Sequence, residues 1–220
     1  MCSAFGTFAH RAYAARLREP VTSNVRRHNC RSNLAHDLEF PTTVPQLFED
    51  QVHLRELTES DIPSWYSRAT DAESADLAGD PIPASIAEGV AWLQRHRERF
   101  RAETAIRWSI VLPAENESIG TVGFSVTSRE RRVGEIGIVV GRAYWNRGIG
   151  TAAARLTLGY GLSKLGLQEI QAEVLQRNHS SVRLLEKLGF QRVRTVPAAE
   201  STDGEALFHY CLRAATPSAA

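Results

Sequence analysis

Three strand-like runs follow one another closely in this chain, Ala105 to Leu112, Ser118 to Thr127 and Val133 to Val140. They are joined only by the turn-rich Pro113-Ala114-Glu115-Asn116 and the charged Ser128-Arg129-Glu130-Arg131-Arg132. A parallel pair of strands needs a crossover of a dozen or more residues, so connections this short demand an antiparallel meander. Every other element has to be fitted around that meander.

Upstream, organised sequence begins near Pro45. Val52-His53-Leu54-Arg55-Glu56-Leu57 alternates as a half-buried strand does, and Thr58 to Asp61 offers capping oxygens before Ile62-Pro63-Ser64-Trp65-Tyr66. Ser85-Ile86-Ala87-Glu88 reads as a capping box, with Ile86, Val90, Leu93 and Phe100 following along one face of a second helix. Downstream come a helix from about Ile149 to Leu165 stopped at Gly166, a strand Glu169 to Leu175, a helix Ser181 to Leu188 stopped at Gly189, and strands near Gln191 to Val196 and Ala206 to Leu212. The expected order is β-α-α-β-β-β-α-β-α-β-β, with no internal repeat.

Charge divides the chain in two. The total is 26 Lys+Arg against 25 Asp+Glu, but residues 1–36 hold six Arg and one Glu, whereas residues 37–220 hold 20 basic and 24 acidic residues. Such an arm cannot build a core. Residues 1–44 are therefore expected to form a basic, disordered extension or to reflect a start placed too early, since Met1 is the single Met; a targeting segment and a functional contact are the other readings. The domain is expected over 45–214, with 215–220 a tail, and a chain starting near Pro45 is expected to stay active. The 24 Arg against two Lys fit a GC-rich, bacterial genome, and Arg11, Arg16 and Arg18 break what would be the apolar core of a secretory signal. Cys2, Cys30 and Cys211 are odd in number and lack CxxC spacing, which reads as a reduced, cytoplasmic chain without a zinc site. No run approaches the roughly 18 apolar residues of a membrane span. Arg95, Arg97, Arg99 and Arg101 wind around their helix and read as a solvated face complementing its C-terminal dipole, so neither nucleic acid nor membrane is an expected partner.

The informative chemistry lies in Arg142-Ala143-Tyr144-Trp145-Asn146-Arg147-Gly148-Ile149-Gly150-Thr151. Glycines ahead of a helix let the backbone close on a bulky anion, which then meets the helix's first free N–H groups. A pyrophosphate suits that geometry; a turn that merely allows tight helix–strand packing is the plainer reading. Gly148-x-Gly150-x-x-Ala153 also matches the dinucleotide fingerprint. That fingerprint belongs directly after the first strand of repeated βαβ units, whereas here it trails a meander.

Together with strand Glu135 to Val140, this loop and the segment Asn178-His179-Ser180-Ser181-Val182-Arg183-Leu184-Leu185-Glu186-Lys187-Leu188-Gly189-Phe190 resemble the GNAT acetyltransferases, most closely the RimJ/RimL-like branch. The resemblance spans about Val52 to Arg213. It implies an α/β (α+β) three-layer fold with a mixed, mostly antiparallel splayed sheet flanked by helices, and acetyl-CoA entering between strands 133–140 and 169–175. It further implies that backbone groups of Ile138, Val139 and Val140 pair with the pantetheine arm. Asn146, Arg147, Gly148, Ile149, Gly150 and Thr151 would hold the pyrophosphate, and Asn178 and Ser181 would contact the coenzyme arm and thioester end. Trp145 suits the RimJ/RimL-like branch, while Asn146 departs from the Gly that the general signature prefers. No metal is implied, and a homodimer is left open.

An attacking amine must be neutral. At pH 7 a lysine amine with pKa about 10.4 is roughly 1 part in 2,500 neutral, whereas an α-amine near 7.8 is roughly 1 in 7. Glu135, on the strand beside the gap, is the candidate base, directly or through water, its plainer reading being a strand carboxylate paired with Arg131 or Arg132. Leu185 occupies the place where many such enzymes carry a general-acid Tyr, which leaves Ser181 as candidate acid or simple cap. Trp65, Tyr66, Asp71, Glu73, Asp76, Asp80 and Trp92 fall where the acceptor would bind, and the acids either attract a cationic amine or are solvated loop charges. The expected function is acetyl transfer from acetyl-CoA to a primary amine, a protein N-terminus or a small amine. A catalytically inactive acyl-CoA-binding protein of the same fold and a dinucleotide-dependent oxidoreductase are the alternatives.

Overall fold

The computed structural model describes residues 37–78, 81–113, 116–201 and 204–214; the basic arm and the tail lie outside the described residues. Strands are β1 (Leu47–Glu49), β2 (Val52–Glu56), β3 (Ala105–Val111), β4 (Ser118–Ser128), β5 (Val133–Val140), β6 (Glu169–Leu175), β7 (Gln191–Val196) and β8 (Leu207–Arg213). Helices are α1 (Ile62–Ala69), α2 (Ala72–Ala78), α3 (Glu88–Arg101), α4 (Ile149–Ser163) and α5 (His179–Lys187). They build one eight-stranded mixed α/β sheet, in the order β1-β2-β3-β4-β5-β6-β8-β7, with helices on both faces. The expected meander is β3-β4-β5, and β5–β6 is the parallel pair.

Strand register assigns each side chain to a face. Ile106, Phe124 and Ile136 stand in register, as do Trp108, Val122 and Ile138. This face packs on α4 and holds the main core, closed by the Trp108 indole donating to the Pro45 carbonyl at 2.7 Å. The opposite face carries Arg107, Ser109, Thr121, Ser125 and Glu135 and is covered by α1 and α3.

The parallel pairing is short. Val133–Glu135 pair with Glu169–Gln171, after which β5 stays with β4 to Val140 and β6 stays with β8 to Leu175. Each strand follows its antiparallel neighbour, so the sheet opens into a V-shaped gap beyond Glu135. Helix α2 lies across this opening. Arg142, just past β5, pairs with Asp71 (3.1 Å) and Glu73 (3.4 Å), and Arg177, just past β6, pairs with Asp76.

The structure differs from expectation in three places. Strand β1 and helix α2 are additional, the latter capped by Asp71, whose Oδ1 accepts from the Ser74 N–H at 3.0 Å. Helix α3 starts at Glu88 rather than Ser85; the Glu88 carboxylate takes the Ala84 N–H at 2.8 Å, so the expected capping box does not form. Its inward face is Gly89 and Leu93, because α1 crosses so closely that a Cβ on Gly89 would meet Ile62 Cγ2 at 2.3 Å, and Ile86 and Val90 are left exposed. The packed body also reaches ahead of residue 45: Leu38 is 6% exposed within the core, and the Glu39 N–H donates to the Leu165 carbonyl at 3.0 Å. Among the described residues, no helix is long and apolar enough to cross a membrane, and no three His, Cys, Asp or Glu residues gather as a metal site.

Candidate active site

The loop after β5 folds back on the strand. The Trp145 indole N–H donates to the Val140 carbonyl at 2.7 Å, and the chain then passes through Asn146 at φ +62° and Gly148 at φ +79° before entering α4. Left-handed backbone at positive φ is tolerated by Gly and, among side-chain residues, best by Asn, which accounts for Asn146 in its place. The result is a concave turn of backbone N–H groups at the head of a helix dipole. The wall of this recess carries Arg147, Arg183 and Lys187 and no carboxylate, with Tyr144 beside Arg147 at 5.6 Å. A Cβ at Gly148 would meet only Gln51 Oε1 at 3.6 Å, so the approach is open.

A second cavity, about 1130 Å³ including its open mouth, lies on the other sheet face beneath α1, α2 and α3. Thr121 and Val139 form its floor, Trp65 and Trp92 stack in its wall with ring centres 5.2 Å apart, and Arg68, Arg95, Arg99 and Arg107 project into it. Arg99 donates to Ser125 Oγ at 2.8 Å, Arg107 to the Gly137 carbonyl at 2.9 Å and Arg68 to the Ser118 carbonyl at 2.9 Å. Burial pulls the Arg68 pKa down to about 10, which Asp61 and Glu117 partly offset, so it remains a cation at neutral pH. The floors of the two recesses are consecutive residues, Val139 for the cavity and Val140 for the loop. Alternation along a strand puts them on opposite faces at the edge of the gap.

An acetyltransferase (GNAT) domain family model matches residues 51–191. The chain belongs to the GNAT acetyltransferase family. It is accordingly an acyltransferase, and its open sheet has the family's architecture. This GNAT chain is 31% identical over 148 residues to the uncharacterized N-acetyltransferase YoaA of Bacillus subtilis (strain 168), covering 67% of this chain and 84% of that protein. Its fold is similar to a GNAT-family acetyltransferase from Bacillus anthracis, with TM-score 0.67 at 19% identity, covering 77% of this chain and 98% of that one. It is also similar in fold to a spermidine N-acetyltransferase from Vibrio cholerae in complex with CoA and spermine, with TM-score 0.66 at 17% identity over 75% and 96% of the two chains.

Within this GNAT fold, the residues singled out from sequence occupy different settings. Asn146, Arg147, Gly148, Ile149, Gly150 and Thr151 all line the loop recess, with Val140. The Gly141 N–H donates to the Ile119 carbonyl on the β4 side, so by alternation Ile138 and Val140 direct their backbone groups to the gap and Val139 directs its own to β4. Asn178 is 2% exposed and caps α5, its Oδ1 accepting from the Ser181 N–H at 3.1 Å. Ser181 is fully buried, and its neighbour Ser180 lines the recess instead, accepting from Arg183 at 3.2 Å. Glu135 lies at the vertex of the gap, in register with Ser125 and Gln171, on the face of the arginine-lined cavity. Asp71, Glu73 and Asp76 are engaged with Arg142 and Arg177 rather than lining the cavity, and Asp80 lies outside the described residues. Sequence reasoning missed Arg183 and Lys187, although their spacing of four with Ser180 and Leu184 between and before them marks one helix face. It also missed the convergence of Arg68, Arg95, Arg99 and Arg107, which come from three separate elements.

Proposed function

We propose that this GNAT enzyme transfers an acetyl group from acetyl-CoA, lying in the gap and loop recess, to a primary amine presented from the arginine-lined cavity, as a member of the RimJ/RimL-like branch. One observation carries the reading: two recesses on opposite sheet faces meet at Val139 and Val140, where the sheet opens. The loop side fits a coenzyme A diphosphate through its left-handed backbone turn, its helix terminus and a wall of three cations without a carboxylate. The acetyltransferase unit spans residues 37–214 in this reading, since Leu38 belongs to its core.

Acetyl-CoA supplies an activated thioester. Arg147, Arg183 and Lys187, with the N–H groups at the head of α4, hold its phosphates, and the gap-facing backbone of Ile138 aligns the pantetheine arm as an added strand. Glu135 takes the proton from the incoming amine through water. Ser181, buried inside α5 with its N–H capped by Asn178, stays a structural residue, and the thiolate leaves without a dedicated acid, consistent with Leu185 buried where a tyrosine would act. A base acting through water suits an α-amine, roughly 1 in 7 neutral at pH 7, better than a lysine amine at roughly 1 in 2,500.

The test is a thiol-release screen with acetyl-CoA against peptides bearing free α-amines and against small amines. Turnover is expected on at least one α-amine. Coenzyme binding with no turnover on the whole panel would instead support an inactive acyl-CoA-binding protein.

A further inference from the structure

The acceptor cavity has a charge opposite to the one that acids in this region of the sequence suggest. Its wall carries Arg68, Arg95, Arg99 and Arg107 against a single carboxylate, Glu88, whose oxygen already accepts the Ala84 N–H. Among the neighbouring acids, Glu135 shares the sheet face toward the vertex of the gap, and Asp61 and Glu117 act on Arg68 from outside the lining; the others face elsewhere, with Glu59 near Arg97, Asp71 and Glu73 holding Arg142, and Asp76 holding Arg177. The run Arg95, Arg97, Arg99, Arg101 divides accordingly, because residues four apart share a helix face. Arg95 and Arg99 turn into the cavity with Trp92, while Arg97 and Arg101 line a separate recess with Phe100. The stacked Trp65 and Trp92 add a flat apolar wall beside the guanidiniums.

Guanidinium groups present paired N–H donors that match carboxylate geometry, and aromatic faces take up apolar side chains. A polyamine would bring several positive charges against a wall of the same sign. Building on the acetyl-transfer reading, we infer that the acceptor is an anionic amine: a primary amine whose own molecule carries a carboxylate for the arginines and an apolar group for the tryptophans. Free amino acids and peptide N-termini followed by an acidic side chain share this chemistry, and polyamines are rejected. Arg95, exposed on α3 at the cavity, is the specificity residue most open to test, because its substitution leaves the core untouched.

The experiment compares kcat/KM at saturating acetyl-CoA for the full chain. The acceptors are Phe-Glu-Ala amide, Phe-Gln-Ala amide, Phe-Lys-Ala amide, free phenylalanine, phenylalanine amide and spermine. The same acceptors are titrated calorimetrically in the presence of CoA, which reads binding without turnover. Carboxylate acceptors are expected to exceed their neutral partners by about ten- to a hundredfold, the scale of a hydrogen bond to a charged group. The peptide and amino-acid arms show which source is used. Arg95→Glu should shrink that preference about tenfold or more and raise use of the lysine peptide, Arg95→Lys should retain it, and acetyl-CoA affinity should not move in either. Equal or better use of the lysine peptide or spermine by the unsubstituted protein, or an unchanged preference in Arg95→Glu, overturns the inference while leaving acetyl transfer standing. Absence of turnover on every acceptor overturns acetyl transfer, and the calorimetric order then decides the inference alone: carboxylates first supports it, no order overturns it.

Discussion

Residues 37–44 give the most direct thermodynamic test of where the folded unit begins. Leu38 is 6% exposed and belongs to the same core as Trp108 and Phe124, with Phe40 and Val44 packed against it. Truncating a leucine in such a setting costs about 2–5 kcal/mol, and a residue near the start of the packed chain, free to relax, belongs in the lower half of that range. For a domain of this size each kcal/mol lowers the melting temperature by about 2–4 °C, so Leu38→Ala in the full chain should melt roughly 5–10 °C lower. A chain beginning at Pro45 also loses Phe40, Val44 and the Glu39–Leu165 backbone bond. That deletion should cost on the order of 5 kcal/mol, a large share of a typical total of 5–15 kcal/mol. A chain beginning at Asp37 keeps all of these contacts and is the reference for that deletion. Thermal unfolding followed by circular dichroism on the four proteins provides the assay. The reasoning fails if the chain starting at Pro45 melts within about 2 °C of the one starting at Asp37.

Gly148→Glu should abolish acetyl-CoA binding by calorimetry, since it sets a side chain and a negative charge at a left-handed position in the recess; unchanged affinity would contradict the loop assignment. Glu135→Gln should lower kcat with little effect on acetyl-CoA affinity, and full activity would remove Glu135 from the mechanism. Asp61 is 1% exposed, grips Arg55 through two bonds of 2.8 and 2.9 Å and accepts the Thr58 N–H, so Asp61→Ala should lose about 3–5 kcal/mol in a denaturant titration, with Arg55→Ala adding much less on top. The Ser74 N–H, and secondarily Arg142, hold the Asp71 carboxyl below the usual carboxylate range, so its contribution is present above about pH 4 and disappears as pH falls through the lowered value. Asp71→Asn should therefore melt lower at pH 7 and converge with the parent in strong acid; an equal deficit at every pH would refute the linkage.

The sequence made the meander and the loop legible because both are local. Alternation over 105–140 and short connectors leave one pairing, and Gly166 and Gly189 mark helix ends at φ +85° and +87°. Helix α2 was illegible because Arg142 and Arg177, some 70 and 100 residues further along the chain, hold its acids, which in isolation look like solvated loop charges. Strand β1, three residues long, is too short to show alternation. Ile86 and Val90 misled for a different reason: the amphipathic pattern is present, but close crossing at Gly89 rotates another face inward. The candidate coenzyme side could be read from one loop, whereas the arginines of the candidate acceptor side come from α1, α3 and β3 and have no local signature.

The same strand geometry that separates the two recesses also constrains Glu135 as the proposed base. Glu135 and Val139 share a face of β5 but stand four residues apart, roughly 13 Å at about 3.3 Å per residue. The position between them is Gly137, in register with Gly123, so no side chain from either strand fills that stretch; Arg107 reaches across it to the Gly137 carbonyl at 2.9 Å. In the proposed mechanism an amine placed at the cavity floor is thus beyond direct reach of Glu135, and its proton would travel along a lane that a guanidinium borders. That geometry favours water-mediated transfer over direct abstraction. It also ties the two halves of the proposal together, because the arginine beside the proposed proton route belongs to the same wall inferred to select an anionic acceptor.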